Sequence, residues 1–374
     1  MALALTLGIL AFGLPSPLFG IIVDRFGPRI TLIVGNLLAA IGIFGIYLVQ
    51  EVWHLYLLYI LIGLGGGFGG YVASTTVINN WFIRRRSLAL GIFIAGSGLG
   101  GFVFPPLATV LISAIDWRMT WLVLGGMISV ISVTIGATIL VRNRPEDMGL
   151  LPDGMTTDAF AEIETVNMPS KTEQVRVGQN IRQVLRHPTA WLLGAFAASN
   201  AFVMGTMWTH QIAYVRDIGY SPVTAATTMS FMSIFSLMSS LGFGALAMKF
   251  KVRYLASAAF VFQLMGLTIL LNTRELGLIY VYAACLGISH GSLITALPTF
   301  VGAYYPRDRY AQVIGVVFPF QIISQAVAGT IAGAIYDATS TYTPAFITAA
   351  FFSLAGLIFV FSAREPRQLQ PDNR

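Results

Sequence analysis

The sequence predicts an all-α membrane fold made of two related helical bundles, and three observations carry that expectation. Hydrophobic residues make up 56% and charged residues 10% of the 374 positions, with a mean hydropathy of +0.76, more apolar than a water-soluble core requires. Eleven apolar runs each reach the roughly 20 residues that a helix needs to cross about 30 Å of hydrocarbon. Two loop patterns recur 222 to 224 residues apart, which points to an internal duplication.

The runs fall near residues 2–23, 30–50, 54–78, 88–113 and 119–141, then near 190–214, 223–247, 252–272, 277–301, 311–335 and 343–363. The bundles are therefore expected at 1–141 and 190–363, with a polar linker at 142–189 and a tail at 364–374. Lys and Arg are costly to move through hydrocarbon and collect on the cytoplasmic side. With loops alternating across the bilayer, nineteen of the 22 basic residues fall on one side and only Arg118, Arg216 and Arg274 on the other. That side is expected to be the cytoplasm and to hold the C-terminus, in a bacterial inner (plasma) membrane. The net charge of +6 is scattered in short clusters between apolar runs, a topology signal and not a nucleic-acid-binding face. No basic stretch precedes the first run, so it is expected to be a span and not a cleaved leader.

The first basic loop carries Gly20, Asp24, Arg25, Phe26, Gly27 and Arg29. Glycine lets helix ends approach, the carboxylate caps or pairs near a helix terminus, and the arginines hold the turn at the interface. A weaker copy stands at Gly244, Lys249, Phe250 and Arg253, with Met248 in place of the aspartate. The next basic loop runs from Trp81 and Phe82 through Arg84, Arg85 and Arg86 to Leu88, Ala89, Gly91, Ala95 and Gly96. Its echo is Tyr304, Tyr305, Arg309, Ala311 and Gly315.

The first of these loops resembles the motif of the major facilitator superfamily. The second resembles the signature of its monocarboxylate porter branch, with a kinship to the oxalate-formate antiporters; Phe93 departs, standing where the pattern prefers Ala. The resemblance implies a major facilitator fold of two six-helix halves working by alternating access, with helices 1, 4, 7 and 10 lining a central cavity. In that frame the run at 2–23 corresponds to helix 2, and eleven spans are visible, helices 2 to 12. The counterpart of helix 1 is then missing through a misassigned start, or the chain is an eleven-helix variant.

Glycines at 63, 65, 66, 67, 69 and 70, and again at 96, 98, 100 and 101, leave helix faces on which a neighbour can pack closely or slide. The linker is expected to be disordered at 155–175, helical at 178–186 and without chemistry of its own.

Apart from Arg253 at the loop end of the 252–272 run, no Lys, Arg, Asp or Glu lies within a run, so buried polar groups remain to select a solute. Asn200, Met204 and Trp208 share one face of the helix at 190–214. His290 is the titratable side chain placed deepest, a candidate for substrate binding and proton coupling. A neutral histidine hydrogen-bonded between helices is the alternative. Gln321 and Gln325 sit one turn apart and can donate to a carboxylate or bond across helices. Many members of the branch carry an Arg on helix 8 for the substrate carboxylate; alignment on Gly244 puts Ser240 there, with Ser236 one turn earlier. Hydroxyls do not neutralise an anion as an Arg does, so the charge of the solute stays open.

Cys285 stands alone and His54, His187, His210 and His290 are dispersed, so no disulfide, metal site, cofactor site or enzyme centre is expected. The expected function is secondary active transport of a small organic solute, a carboxylate or related metabolite, with protons as a candidate coupling ion, as a symporter or antiporter. A facilitator-type exporter of a hydrophobic or drug-like compound is the alternative. The partners are then the solute, protons and the lipid bilayer; oligomeric state is not legible.

Overall fold

The structure is a computed structural model and describes residues 2–132, 141–156 and 188–363. Among these residues, eight helices are long and apolar enough to cross a membrane, and one bent pair makes a ninth. Two shorter apolar helices, Arg86–Gly100 and Trp117–Ser132, fall on the two remaining runs. The linker expectations at 157–187, the tail and residues 133–140 lie outside the described residues.

Helices α1 (Ala2–Gly13) and α2 (Ser16–Phe26) form the bent pair, turning by 43°. The bend has a covalent cause, since Pro15 and Pro17 lack the N–H groups that would continue the ladder. Gly27, at φ 81°, ends α2, and Pro28 starts α3 (Pro28–Gly45). Helix α4 (Val52–Gly66) passes through a π-helical stretch, Gly67–Val72, into α5 (Ala73–Trp81). Helices α6 (Arg86–Ile115) and α7 (Trp117–Ser129) complete the first bundle. The second contains α8 (Pro188–Asp217), α9 (Pro222–Leu246), α10 (Val252–Asn272), α11 (Leu276–Tyr304), α12 (Tyr310–Thr339) and α13 (Thr343–Ser362).

In the first bundle α4 packs on α1 and α3, and α3 on α7; in the second α8 packs on α12 and α13, and α11 on α9 and α10. The glycine run explains how α4 serves two neighbours. Gly63 and Gly67, one turn apart, lie against the backbone of α1 at Gly8 and Phe12. Gly65 and Gly69, offset by two residues, lie against α3 at Ala39 and Gly35. Without side chains on either face, both neighbours approach to backbone contact. A Cβ on Gly70 or Gly96 would meet nothing within 4 Å among the described residues, and one on Gly98 would meet only the Leu237 side chain at 3.7 Å, so the expected close packing fails there.

The bundles join chiefly where α6 crosses α9 and α2 crosses α12. A Cβ on Gly91 would lie 2.5 Å from the Ser240 carbonyl oxygen, and one on Gly244 would lie 2.6 Å from that of Ser87. At the other crossing Gly20 abuts the Ala311 carbonyl, and a Cβ on Gly315 would lie 2.5 Å from that of Ser16. Gly20 and Gly244, Gly91 and Gly315, Ser16 and Ser240, and Ser87 and Ala311 are each 224 residues apart. The two crossings are thus duplicates of one contact.

Packing decides between otherwise similar glycines. Gly67→Ala is expected to lower the stability of the purified protein by about 1–3 kcal/mol through overpacking. Gly70→Ala, with open space and better helix propensity, is expected to be neutral or stabilising by up to about 1 kcal/mol; melting curves of the two variants check the contrast.

Candidate functional site

The basic loops gather at the end of the molecule where the bundles cross. Ser16 is fully buried, and its hydroxyl donates to Gly13 O at 2.7 Å and across the boundary to Gly315 O at 2.8 Å. Beyond the crossings the Tyr71 ring stacks on Phe318 of α12 at 4.4 Å, and Phe12 meets Phe318 edge-on at 5.7 Å. These contacts weld residues of both halves, including Phe19, Val23, Ile94, Phe243, Leu293 and Phe300, into one apolar cluster.

Nearer the loops the seal becomes polar. Asp24 hydrogen-bonds to Gln312 of α12. Arg86 donates from Nε to Phe82 O at 3.3 Å, and its guanidinium lies beside Asn79 against Gly302 of α11. Arg307 donates to Asn80 O and pairs with Glu146 at 3.1 Å. Tyr305 is buried, which raises its hydroxyl pKa to about 12. Arg25, Arg84 and Arg85 stay exposed, as interfacial cations should.

The start of the linker has more to do than the sequence suggested. Arg142 O accepts from the Trp81 indole and Asn143 O from the Asn80 amide, both at 3.0 Å. Asn143 Oδ1 accepts the Arg29 N–H at 2.9 Å, and its side chain presses on Gly27. The Asp153 carboxylate accepts the backbone N–H groups of Ile83, Arg84 and Arg85 at 2.7, 2.6 and 3.4 Å. It stands just ahead of α6, where a negative charge complements the helix dipole. Residues 141–156 therefore strap the loops together, a structural role that the sequence did not show.

The candidate solute groups divide. Trp208 and His290 come together edge-on at 5.1 Å; Trp208 is 42% exposed, and His290 Nδ1 is buried without a hydrogen-bond partner among the described residues. Ser236 is half-buried on α9, with its backbone against Gly291 beside His290. Gln321 and Gln325 are half-buried on α12, and neither amide is hydrogen-bonded within the described residues. Asn200 turns inside the second bundle, where its Oδ1 accepts from Gln263 Nε2 at 3.1 Å. Ser240 is buried at the α6–α9 crossing and donates to Leu237 O at 2.8 Å. The sequence did not single out Gln211, which is buried on α8, donates to Thr228 of α9 and leaves Oε1 without a partner among the described residues. Its one-turn spacing from Met207, a core residue of the second bundle, places it inside that bundle.

A family model described as the Major Facilitator Superfamily matches residues 1–320 and 210–374. The chain belongs to this superfamily. Monocarboxylate transporter 12-B of Danio rerio is 23% identical over 96% of this chain and 78% of its own length. Monocarboxylate transporter 13 of Bos taurus is 27% identical over 94% and 77%. Among solved structures, a major facilitator transporter, FucP, in the outward conformation superposes with a TM-score of 0.73 at 14% identity, covering 97% of this chain and 90% of that one. The human organic anion transporter MFSD10 gives 0.72 at 13%, covering 96% and 83%. The chain is thus a multi-pass integral membrane protein with the superfamily fold, and its family transports small organic solutes.

The strap predicts a ranking. Asp153→Ala uncovers three backbone donors and is expected to destabilise by roughly 1–3 kcal/mol. Glu146→Gln breaks a part-exposed ion pair and is expected to cost under about 1 kcal/mol. Thermal melting of both variants in detergent checks the order.

Proposed function

We propose that this major facilitator protein is a secondary transporter of a small carboxylate, carried by alternating access with a proton. The single observation behind the reading is His290, a half-buried imidazole whose buried Nδ1 has no hydrogen-bond partner among the described residues, beside the partly exposed Trp208. The names of the monocarboxylate transporters similar to it support the choice of solute class.

The solute site comprises Ser236, Trp208, His290, Gln321 and Gln325. The amides, hydroxyl and indole donate hydrogen bonds to the carboxylate, while His290 accepts a proton and pairs with the anion. A lone charge is costly in this surrounding, but an imidazolium and a carboxylate that arrive together are not. Proton and solute therefore enter as a couple. The basic end, where the bundles meet, faces the cytoplasm under the positive-inside rule. With that end shut, solute reaches the site from the opposite face; separation of the two duplicated crossings then opens the way inward.

Purified protein in proteoliposomes is expected to accumulate a small monocarboxylate only when a proton gradient is imposed. His290→Gln is expected to abolish gradient-driven accumulation, while Ser240→Ala leaves the affinity for solute unchanged. Equal uptake with and without the gradient, together with an indifferent His290→Gln, refutes the coupling. Failure with every carboxylate alongside uptake of apolar compounds favours the exporter reading.

A further inference from the structure

A second cavity, of about 350 Å³, opens at the end of the second bundle opposite the basic loops. Tyr214 and Asp217 reach it from the end of α8, Asn272 from the end of α10, Arg274 from the α10–α11 loop, Tyr336 from the last turns of α12 and Tyr342 from the turn between α12 and α13. Ser236, Trp208, His290, Gln321 and Gln325 do not line it, so it is separate from the site between the bundles.

Opposite charges face this cavity without neutralising each other. Asp217 accepts a hydrogen bond from the Tyr336 hydroxyl at 3.1 Å, and no ion pair joins it to Arg274 among the described residues. The walls are braced. Tyr220 donates its hydroxyl to the Arg274 carbonyl at 2.8 Å, fixing the base of that side chain. Tyr214 donates to Leu270 O at 3.1 Å, tying α8 to α10. The Tyr336 and Tyr342 rings stack at 4.2 Å, and Tyr214 meets Tyr342 edge-on at 6.2 Å.

The two ends differ in chemistry. Burial, followed by the charges of Asp217 and Asp337 and the neighbouring Tyr336, raises the Tyr342 pKa and keeps that ring neutral. A carboxylate beside neutral tyrosine rings suits a cationic nitrogen, which is attracted to Asp217 and to the face of the half-buried Tyr336 ring that Tyr342 does not cover. A guanidinium at the other end suits a carboxylate through its planar fork of donors. A singly charged ligand would satisfy one end and leave the other solvated as before.

We propose that this outer cavity binds a small zwitterion, its cationic nitrogen on Asp217 and the tyrosine rings and its carboxylate on Arg274. The volume lies at the small end of the range for ligand pockets, which fits a solute of amino-acid or betaine size. Binding here is independent of passage between the bundles, so it can be measured without transport.

The test is a titration of the purified full chain in detergent with glycine betaine, read by thermal stabilisation, against choline and acetate, which each carry one of the two charges. Betaine is expected to bind saturably, and choline and acetate at least about ten-fold more weakly, as the loss of one charge-assisted contact implies. Asp217→Asn and Arg274→Gln are each expected to weaken betaine by a similar factor, with Asp217→Glu retaining part of the affinity. Arg274 is exposed and its variant should fold; an unchanged melting temperature without ligand verifies this. No saturable betaine effect, choline or acetate equal to betaine, or betaine binding undiminished in both variants overturns the proposal.

Discussion

Backbone meets backbone where α6 crosses α9 and where α2 crosses α12, and the basic end of the molecule is built around that demand. Lipid chains are as apolar as leucine, so a membrane protein cannot rely on the hydrophobic effect to hold its helices together. It needs dispersion and hydrogen bonding at short range, and side chains at the crossing would prevent both. Gly20, Gly91, Gly244 and Gly315 remove that obstacle, and the carbonyls of Ser16, Ser87, Ser240 and Ala311 fill the space. The Tyr71–Phe318 stack and the Ser16 hydroxyl bond follow from the approach, since neither partner would reach the other across a wider gap.

Under the proposed alternating access, a contact that opens again must not be too strong. The crossings consist of many weak contacts, and the ion pair that reaches from the linker to the second bundle, Glu146–Arg307, is part-exposed. Such a pair contributes little and separates at little cost. The strap is different in kind. Asp153, Asn143 and Arg142 act on loops of the first bundle, so their bonds can persist whether or not the crossings part. Under the proposed reading, bonds that stay within one bundle persist while those between bundles exchange, as two states that differ by only a few kcal/mol require.

Much of this was legible in the sequence. Apolar run length fixed the spans, and the duplicated loops identified Gly20 with Gly244 and Gly91 with Gly315 before their contacts were visible. What stayed hidden depends on rotation about helix axes and on long-range contact. Gly96 continues the same small-residue pattern as Gly91, yet a Cβ on Gly91 would meet α9 and one on Gly96 would meet nothing within 4 Å among the described residues. Asn200 shares a face with Trp208 by spacing, but a neighbour two helices along the chain, Gln263, claims its amide. Ser240 reads as a cavity residue until the α6–α9 crossing covers it. The strap was illegible for another reason: a polar segment rich in Pro and Asp signals only that it is not a span, and the backbone donors it caps lie about seventy positions away.

The absence of Lys and Arg from the apolar runs, save Arg253 at the loop end of one, bears on energetics more than on affinity. A fixed cation would hold a carboxylate in either orientation of the bundles, and release would depend on breaking that pair. Under the proposed reading the cation exists only while His290 holds a proton, so deprotonation discharges the site and leaves the carboxylate among neutral donors. An unpaired anion there is unfavourable, so the loss of the proton also drives off the solute. Coupling then needs no separate relay: the same imidazole that makes the anion tolerable within the bilayer links its movement to that of the proton.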